Sequence, residues 1–416
     1  MSILEINGIK ATELATNYKT PLYVYDQNKI EDTLSTFKNN FKSDKFPTKI
    51  IYASKAFQAV QMVNLIADYG LGIDVVSGGE LFTALQSKMP RNMIYFHGNN
   101  KTPDELDLAF KSGVEHIICD NIMELGIING LALKYKQEMN IMLRLNVGIE
   151  AHTHEYIITS HIDSKFGFLA DSNECKACLE LLKNNEYLRF EGVHCHIGSQ
   201  IFELTAWYAS IDKLVSFLKP FAQPLVLNIG GGFGIKYTTN DDPIELGESL
   251  KLLAGYVEKA IDEQGVTIRE LIIEPGRSIV GNAGCTLYTV GHQKKTPEKL
   301  YYFVDGGMTD NIRPALYQAK YECDIANKMD AKKTKKVCVA GKCCESGDVL
   351  IEECMLPDVE AGDILVTYTT GAYGHSMSSS YNKNLIPAVV FIKDGVAREV
   401  IRRQSFEDLL RYEIFE

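Results

Sequence analysis

The chain has 416 residues, enough to bury two sizeable cores, so two domains are expected. Hydrophobic residues make up 45% and charged residues 23%, a globular balance that excludes a low-complexity or disordered chain. A formal net charge of -11 argues against nucleic acid or an anionic membrane surface as the main partner and leaves small molecules as the expected ones.

The N-terminal MSILEINGIKATEL lacks a basic segment followed by an apolar run, so no secretory signal is expected, and no window is long enough to span a membrane. The ten cysteines are scattered, adjacent only at Cys343 and Cys344, with a single CxxC spacing at Cys175 and Cys178 that is not repeated. That usage suits the reduced thiols of a cytoplasmic enzyme. The first strand-like run is PLYVYD, placed before the first long helical stretch.

From residue 49 to 275, short β-branched runs alternate with longer amphipathic stretches. The runs are KIIYAS, GIDVVS, NMIYFHG, EHIICD, NIMLRLNV, FEGVHCHIG, PLVLNIGGG and LIIEPG. Between them lie helical stretches such as AVQMVNLIADYG, GGELFTALQSK, PDELDLAFKSG and ESLKLLAGYVEKAIDEQG. Eight such units predict an α/β fold, a (β/α)8 TIM barrel over residues 31–280. Function then belongs at the C-terminal strand ends, which carry Lys55, Ser77, His97, Asp120, Asn146, His196, Gly230 and Glu274.

After residue 281 the texture changes to CTLYTVGHQ, KLYYFVDGG, KKVCVAG, DVLIEECML, DILVTYTTG and AVVFIKDGVAREVIRR, separated by Gly-Asp, Pro-Asp and Asp-Gly turns. This predicts a separate C-terminal β-rich domain over residues 281–416, with residues 1–30 joined to it through the PLYVYD strand. Helix returns at SFEDLLRY.

Two motifs point to a phosphate. The triplet in LNIGGGFGI follows the seventh strand, where consecutive glycines let backbone amides approach an anion, and IIEPGRSIV ends the eighth. Phosphate sites in barrels lie in these two loops, here Gly230 to Gly232 and Gly276 to Arg277. No helix opens at Phe233, which sets the triplet apart from a dinucleotide fingerprint. Glu274 projects from the same strand end, to hold a protonated ring nitrogen or to pair with Arg277. A lysine, a carboxylate and a phosphate cradle at one barrel mouth are what pyridoxal 5'-phosphate needs. Lys55, closing an otherwise apolar strand, is then the Schiff-base lysine, His196 lies against the cofactor face and Ser199 near the phosphate.

His194 and His196 form a rival pattern. Alternate residues on one strand share a side and could hold a divalent metal in a barrel hydrolase, with His97 and Asp120 as further ligands. His152, His154 and His161 are read as ordinary loop or helix residues. No metal is expected. A non-catalytic pyridoxal phosphate carrier is a third reading, disfavoured because it needs no C-terminal β domain.

The succession YASKAF, DVVSGGEL, HTHEYIITSHIDSKFGF, HCHIGSQ, NIGGGFGI, EPGRSIVGNAG, VDGGMTDNIRPALY, CCESGD and GAYGH resembles the diaminopimelate decarboxylases. These belong to the alanine-racemase-like (fold type III) class of pyridoxal phosphate enzymes. The resemblance runs from Lys55 to Tyr381. It implies decarboxylation of meso-2,6-diaminopimelate to L-lysine, with Lys55 bonded to the cofactor, His196 stacked on its ring and Glu274 at its nitrogen. Ser199, Gly231, Gly232, Gly276 and Tyr373 would hold or flank the phosphate. Arg277, Arg313 and Tyr317 would hold the substrate carboxylate that is retained, Tyr373 would adjoin it, and Glu345 would take the distal amine. Cys344 would be the proton donor, supplied across a homodimer whose active sites are shared between subunits. Cys343 stands where relatives often carry proline, and a packing change without loss of function is expected. Related decarboxylases of ornithine, arginine or carboxynorspermidine are the alternative.

Overall fold

The computed structural model describes residues 2–149 and 163–415, which divide into two compact units. The expectations for His152, His154 and His161 fall on residues outside the described ones. Among the described residues, no helix is long and apolar enough to cross a membrane.

One unit comprises residues 34–234 and 242–276. Its strands are Thr48–Ala53, Gly72–Val75, Ile94–Phe96, His116–Cys119, Met139–Asn146, Leu188–His194, Leu225–Asn228 and Ile268–Ile273. Each pairs in parallel with the next, and the ring closes where Ile268–Ile273 returns to Thr48–Ala53, with Leu271 opposite Thr48. The eight expected runs are therefore the eight barrel strands. Their β-branched and aromatic side chains suit a surface covered on both faces. Ile51, Tyr95, Ile118, Met142, Val226 and Ile272, from six different strands, form one buried cluster.

The crossover helices begin on local signals. Thr102 and Glu105 form a reciprocal capping box on Pro103–Lys111, and Asn121 caps Ile122–Tyr135. Ser77, one of the polar strand ends, caps Gly78–Leu85 by accepting the Glu80 N–H at 3.2 Å. Two others are also engaged locally. Asp120 accepts the Gly167 N–H at 3.0 Å, and Asn146 accepts the Gly148 N–H at 3.0 Å. Polar strand ends thus divide between loop-building groups and those left for chemistry.

The other unit comprises residues 2–33, Ile235–Asp241 and 277–415. Leu22–Asp26, the PLYVYD strand, lies in the middle of its sheet, antiparallel to Gly284–Lys295 and parallel to Ala388–Lys393. Leu22 and Val24 pack with Leu287, Val366 and Val390, so the N-terminal segment is core to the C-terminal domain. A second cluster gathers Tyr288, Val290, Tyr302, Val337, Leu350 and Leu356. The strand Cys323–Ile325 and the helix Arg313–Tyr317 have no clear periodic signal in the sequence, being three and five residues long.

Candidate active site

The first barrel strand ends at Ala53, and Ser54–Ala56 turns at once into a single 3-10 turn that presents Lys55 as an exposed residue. Two acids hold that turn. The Ser54 N–H donates to Asp74 Oδ1 at 3.1 Å, and the Ser54 hydroxyl to Glu80 Oε2 at 3.2 Å. Glu80 also accepts the Val76 N–H at 2.8 Å. Burial raises the Asp74 carboxyl well above its ordinary range, and the nearby charge of Glu274 adds to this, while Lys55 opposes it.

Glu274 is buried at the end of the eighth strand, among three nitrogen-bearing side chains. Its Oε2 lies 3.0 Å from His194 Nε2, its Oε1 lies 3.0 Å from His97 Nε2, and the Asn228 amide donates to Oε1 at 2.7 Å. The Asn228 orientation is fixed, because its Oδ1 accepts the Gly230 N–H at 2.9 Å and leaves the NH2 for Glu274. Burial pushes both imidazoles down, His194 to about 4, while the Glu274 carboxylate pulls them the other way. Burial alone would raise Glu274. Its nitrogen partners reverse this and hold it well below the usual carboxylate range. Two oxygens with about four lone-pair directions retain acceptor capacity for one more N–H.

The rival metal pattern divides here. His194 turns to Glu274, whereas His196 Nδ1 accepts the Gly231 N–H at 3.3 Å. His97, His194 and Glu274 do bring ligand atoms within 4.8 Å of one another. The Asn228 amide donates to the same carboxylate. Burial holds His196 well below the imidazole range, and the charges of Lys55 and Arg144 act in the same direction.

The glycine loop is shaped by close backbone approach. A Cβ on Gly231 would lie 2.0 Å from the Glu274 carbonyl oxygen, and Gly232 sits at φ +120°, in the region that favours glycine. No helix begins near Phe233, and the chain stays irregular until Leu246–Gln264. Ser199 lies half-buried in the facing 197–201 loop, whose Ile201 N–H donates to the Gly232 carbonyl at 3.0 Å. Gly276 is equally confined, with the Ala53 Cβ 2.9 Å from where its own would stand. We expect Gly231→Ala to cost about 2 kcal/mol or more, read as a lowered urea midpoint, because the obstacle is backbone that cannot rotate away. A wild-type midpoint would show that the loop is free to move.

In the other unit, two guanidiniums share tyrosines. Arg277 opens Arg277–Val280 and donates to the Tyr237 hydroxyl. Arg313, at the start of Arg313–Tyr317, donates to the same hydroxyl at 3.1 Å and to that of Tyr321. The Tyr373 ring lies 4.8 Å from the Arg277 guanidinium and 5.9 Å from that of Arg313. Tyr373 holds φ at 62°, an uncommon conformation for a non-glycine residue and one that clusters at functional sites. Burial pushes Tyr321 up to about 12, so it stays a neutral acceptor. Arg313 is 5% exposed, and its hydrogen bonds go to hydroxyls rather than to a carboxylate. Tyr317 is half-buried at the end of the same helix, but Tyr237 and Tyr321 are the residues that engage Arg313.

Cys344 and Glu345 are exposed on the 341–348 loop of this unit. Asp348 anchors that loop, accepting the Cys343 N–H at 2.7 Å and the Met308 N–H at 2.6 Å. The Cys344 N–H donates to Asn382 at 2.8 Å. Cys343 is half-buried, takes the Asn384 amide on its sulfur at 3.6 Å, and burial pushes its thiol up to about 11.

Comparison with known proteins matches residues 27–281 to the pyridoxal binding domain of pyridoxal-dependent decarboxylases. The chain is 45% identical to the diaminopimelate decarboxylase of Bacillus subtilis (strain 168), covering 99% of this chain and 95% of that protein. It belongs to the diaminopimelate decarboxylase family. The Bacillus methanolicus enzyme is 46% identical over 96% of this chain and 94% of its own. The structure of M. jannaschii diaminopimelate decarboxylase in complex with L-lysine superposes with a TM-score of 0.92 at 32% identity, covering 100% of this chain and 96% of that one. The protein is thus a pyridoxal phosphate-dependent carboxy-lyase, which sets aside the hydrolase and carrier readings.

The barrel mouth fits that cofactor. Glu274 keeps acceptor capacity in a dry setting, Lys55 stands exposed on a tethered turn, and the glycine loop has room only for backbone. Asp74, Glu80, Asn228, Tyr237, Tyr321, Asp348 and Asn382 escape a reading of the sequence. Asp74 has a visible signal, an acid inside the apolar run GIDVV. Asn228, Tyr237 and Asn382 act through partners 38 or more positions away in the chain, Asn228 with Glu274, Tyr237 with Arg277 and Asn382 with Cys344.

Proposed function

We propose that the barrel-mouth residues and the arginine–tyrosine cluster serve one reaction, the conversion of meso-2,6-diaminopimelate to L-lysine and carbon dioxide. Pyridoxal phosphate supplies the electron sink for the carbon that loses its carboxylate. Lys55 holds the cofactor covalently, His196 covers its ring, Glu274 meets its ring nitrogen, and Ser199, Gly231, Gly232, Gly276, Arg277 and Tyr373 surround its phosphate. Asp74 and Glu80 fix the turn that carries Lys55, so their work is positional.

The observation that carries the choice of substrate is Arg313, a buried guanidinium whose hydrogen bonds among the described residues go to the Tyr237 and Tyr321 hydroxyls. A buried charge of this kind calls for an anion. Diaminopimelate brings one, the carboxylate at the end that does not react, whereas ornithine and arginine bring none. Arg277, Arg313 and Tyr317 grip that carboxylate, Tyr373 adjoins it, and Glu345 takes the distal amine. The grip fixes the reacting end in place, so binding energy becomes orientation. Cys344 then delivers a proton to the reacting carbon from the partner subunit of a homodimer, in the cytoplasm.

The test is product formation by the holoenzyme with meso-diaminopimelate, ornithine, arginine and carboxynorspermidine in parallel. Lysine from the first, with the others at least about 10³-fold poorer in kcat/KM, is the expected outcome for a site that would otherwise bury an unpaired charge. Comparable turnover of ornithine or arginine would leave the cofactor residues in place and overturn the role of Arg313.

A further inference from the structure

Ten cysteines are present, all as free thiols. Two of them meet away from the residues assigned to the reaction. Cys323 lies on Cys323–Ile325 and Cys354 on Val349–Leu356, strands that do not pair with each other: the first pairs with Ile364–Thr367, the second with Lys335–Ala340. Their Sγ atoms are 3.7 Å apart. A disulfide needs about 2.05 Å, so rotation of the two side chains closes most of the gap. Cys354 is half-buried and reachable, while Cys323 is buried behind it.

We propose that Cys323 and Cys354 form a reversible disulfide when the protein meets a small aliphatic disulfide such as oxidised glutathione.

The surroundings set the order of events. The hydrogen bond between the thiols raises Cys323 well above its ordinary range, and burial adds to this. The same bond lowers Cys354 against burial, with the Lys333 ammonium acting in the same direction and the Asp324 and Glu353 carboxylates against it. Cys354 is the half-buried member of the pair and Cys323 the buried one, so Cys354 is the thiol that meets the oxidant first. Attack on one sulfur of the oxidant breaks its S–S bond, forms a mixed disulfide on Cys354 and releases one glutathione thiolate. Cys323 then gives up its proton, attacks the Cys354 sulfur and expels the second glutathione. Two protein thiols lose two electrons and two protons, and one oxidised glutathione becomes two reduced molecules.

The bond would fasten the strand that follows Tyr321 to the strand that follows the Cys344 loop. Both lie in the same unit, so the link is internal to it.

The experiment treats the native holoenzyme with oxidised glutathione, alkylates the remaining thiols and maps them by mass spectrometry after cleavage at glutamate. That cleavage separates Cys354 from Cys343 and Cys344, because Glu345, Glu352 and Glu353 lie between them. Cys323 and Cys354 are expected to disappear together, linked to each other, without retained glutathione, at oxidant levels that leave buried Cys119 and Cys195 alkylatable after unfolding. Dithiothreitol restores both. Cys323→Ser is expected to trap one glutathione on Cys354, and Cys354→Ser to leave Cys323 unmodified. Oxidation that links Cys343 to Cys344 while Cys354 stays free would overturn the proposal, as would glutathione stably retained on wild-type Cys354. The wild-type map decides alone should a variant fail to fold.

Discussion

Lys55→Ala yields a folded barrel that no longer retains pyridoxal phosphate through gel filtration. Lys55 sits on a turn whose tethers, Asp74 and Glu80, bond to Ser54 and not to the lysine itself, so removing its side chain leaves the local backbone intact. The expected loss of turnover is on the order of 10³-fold or more, the scale found when a covalent catalytic group is deleted. Two readouts check the cause. The wild type, reduced with borohydride, gains the mass of the cofactor on a peptide containing Lys55, and the variant gains none. Its circular dichroism should overlay that of the wild type. Cofactor retained covalently by the variant would move the attachment to another lysine.

Arg313→Lys is the second large effect. Lysine keeps the charge, but in Arg313 the single nitrogen Nη1 serves both Tyr237 and Tyr321, and an ammonium making those two bonds has no planar N–H groups left to grip a carboxylate. We expect kcat/KM for diaminopimelate to fall by about 10²-fold to 10³-fold, or about 3–4 kcal/mol, the range for breaking one side of a buried charged contact. Specificity is the sharper readout. The product L-lysine keeps the L centre, so the reacting centre is the D one, and D-lysine is the substrate without its distal carboxylate. The ratio of the rates for meso-diaminopimelate and D-lysine should shrink in the variant. Tyr237→Phe should move the ratio in the same direction by a smaller factor, since it removes the hydroxyl shared by Arg277 and Arg313 and leaves both charges. An unchanged ratio in Arg313→Lys, with only a general loss of rate, would assign Arg313 to the structure of the β unit.

Much of this is legible in the sequence because a parallel barrel writes itself as repeated local patterns. Each strand is an apolar run of three to eight residues ending in a loop, and the loop residue after it inherits a position at the mouth. Lys55 and Glu274 are found in that way. The glycine triplet is legible as a tight place, while its cause, the carbonyl of Glu274 pressing on Gly231, depends on a neighbour 43 residues away in sequence. Contacts of that kind are the ones that escape. Asn228 is one polar residue in a strand, and its bond to Glu274 spans 46 positions. Tyr237 follows a loop with no periodicity, and its partners lie 40 and 76 positions on. Ser77, Asp120 and Asn146 err in the other direction: they occupy strand ends, as expected, and spend their side chains on caps and turns.

The position of Leu22–Asp26 in the middle of its sheet has a consequence for biosynthesis. The strand leaves the ribosome before the barrel strands, yet its two neighbours, Gly284–Lys295 and Ala388–Lys393, are made after them. The barrel strands, from Thr48 to Ile273, are complete long before then. Translation at about 5–20 residues per second leaves the N-terminal segment without its partners for some tens of seconds. During that interval Leu22 and Val24, which end up fully buried, face solvent or chaperone. A segment synthesised before the barrel thus finds its place only after the barrel strands are complete.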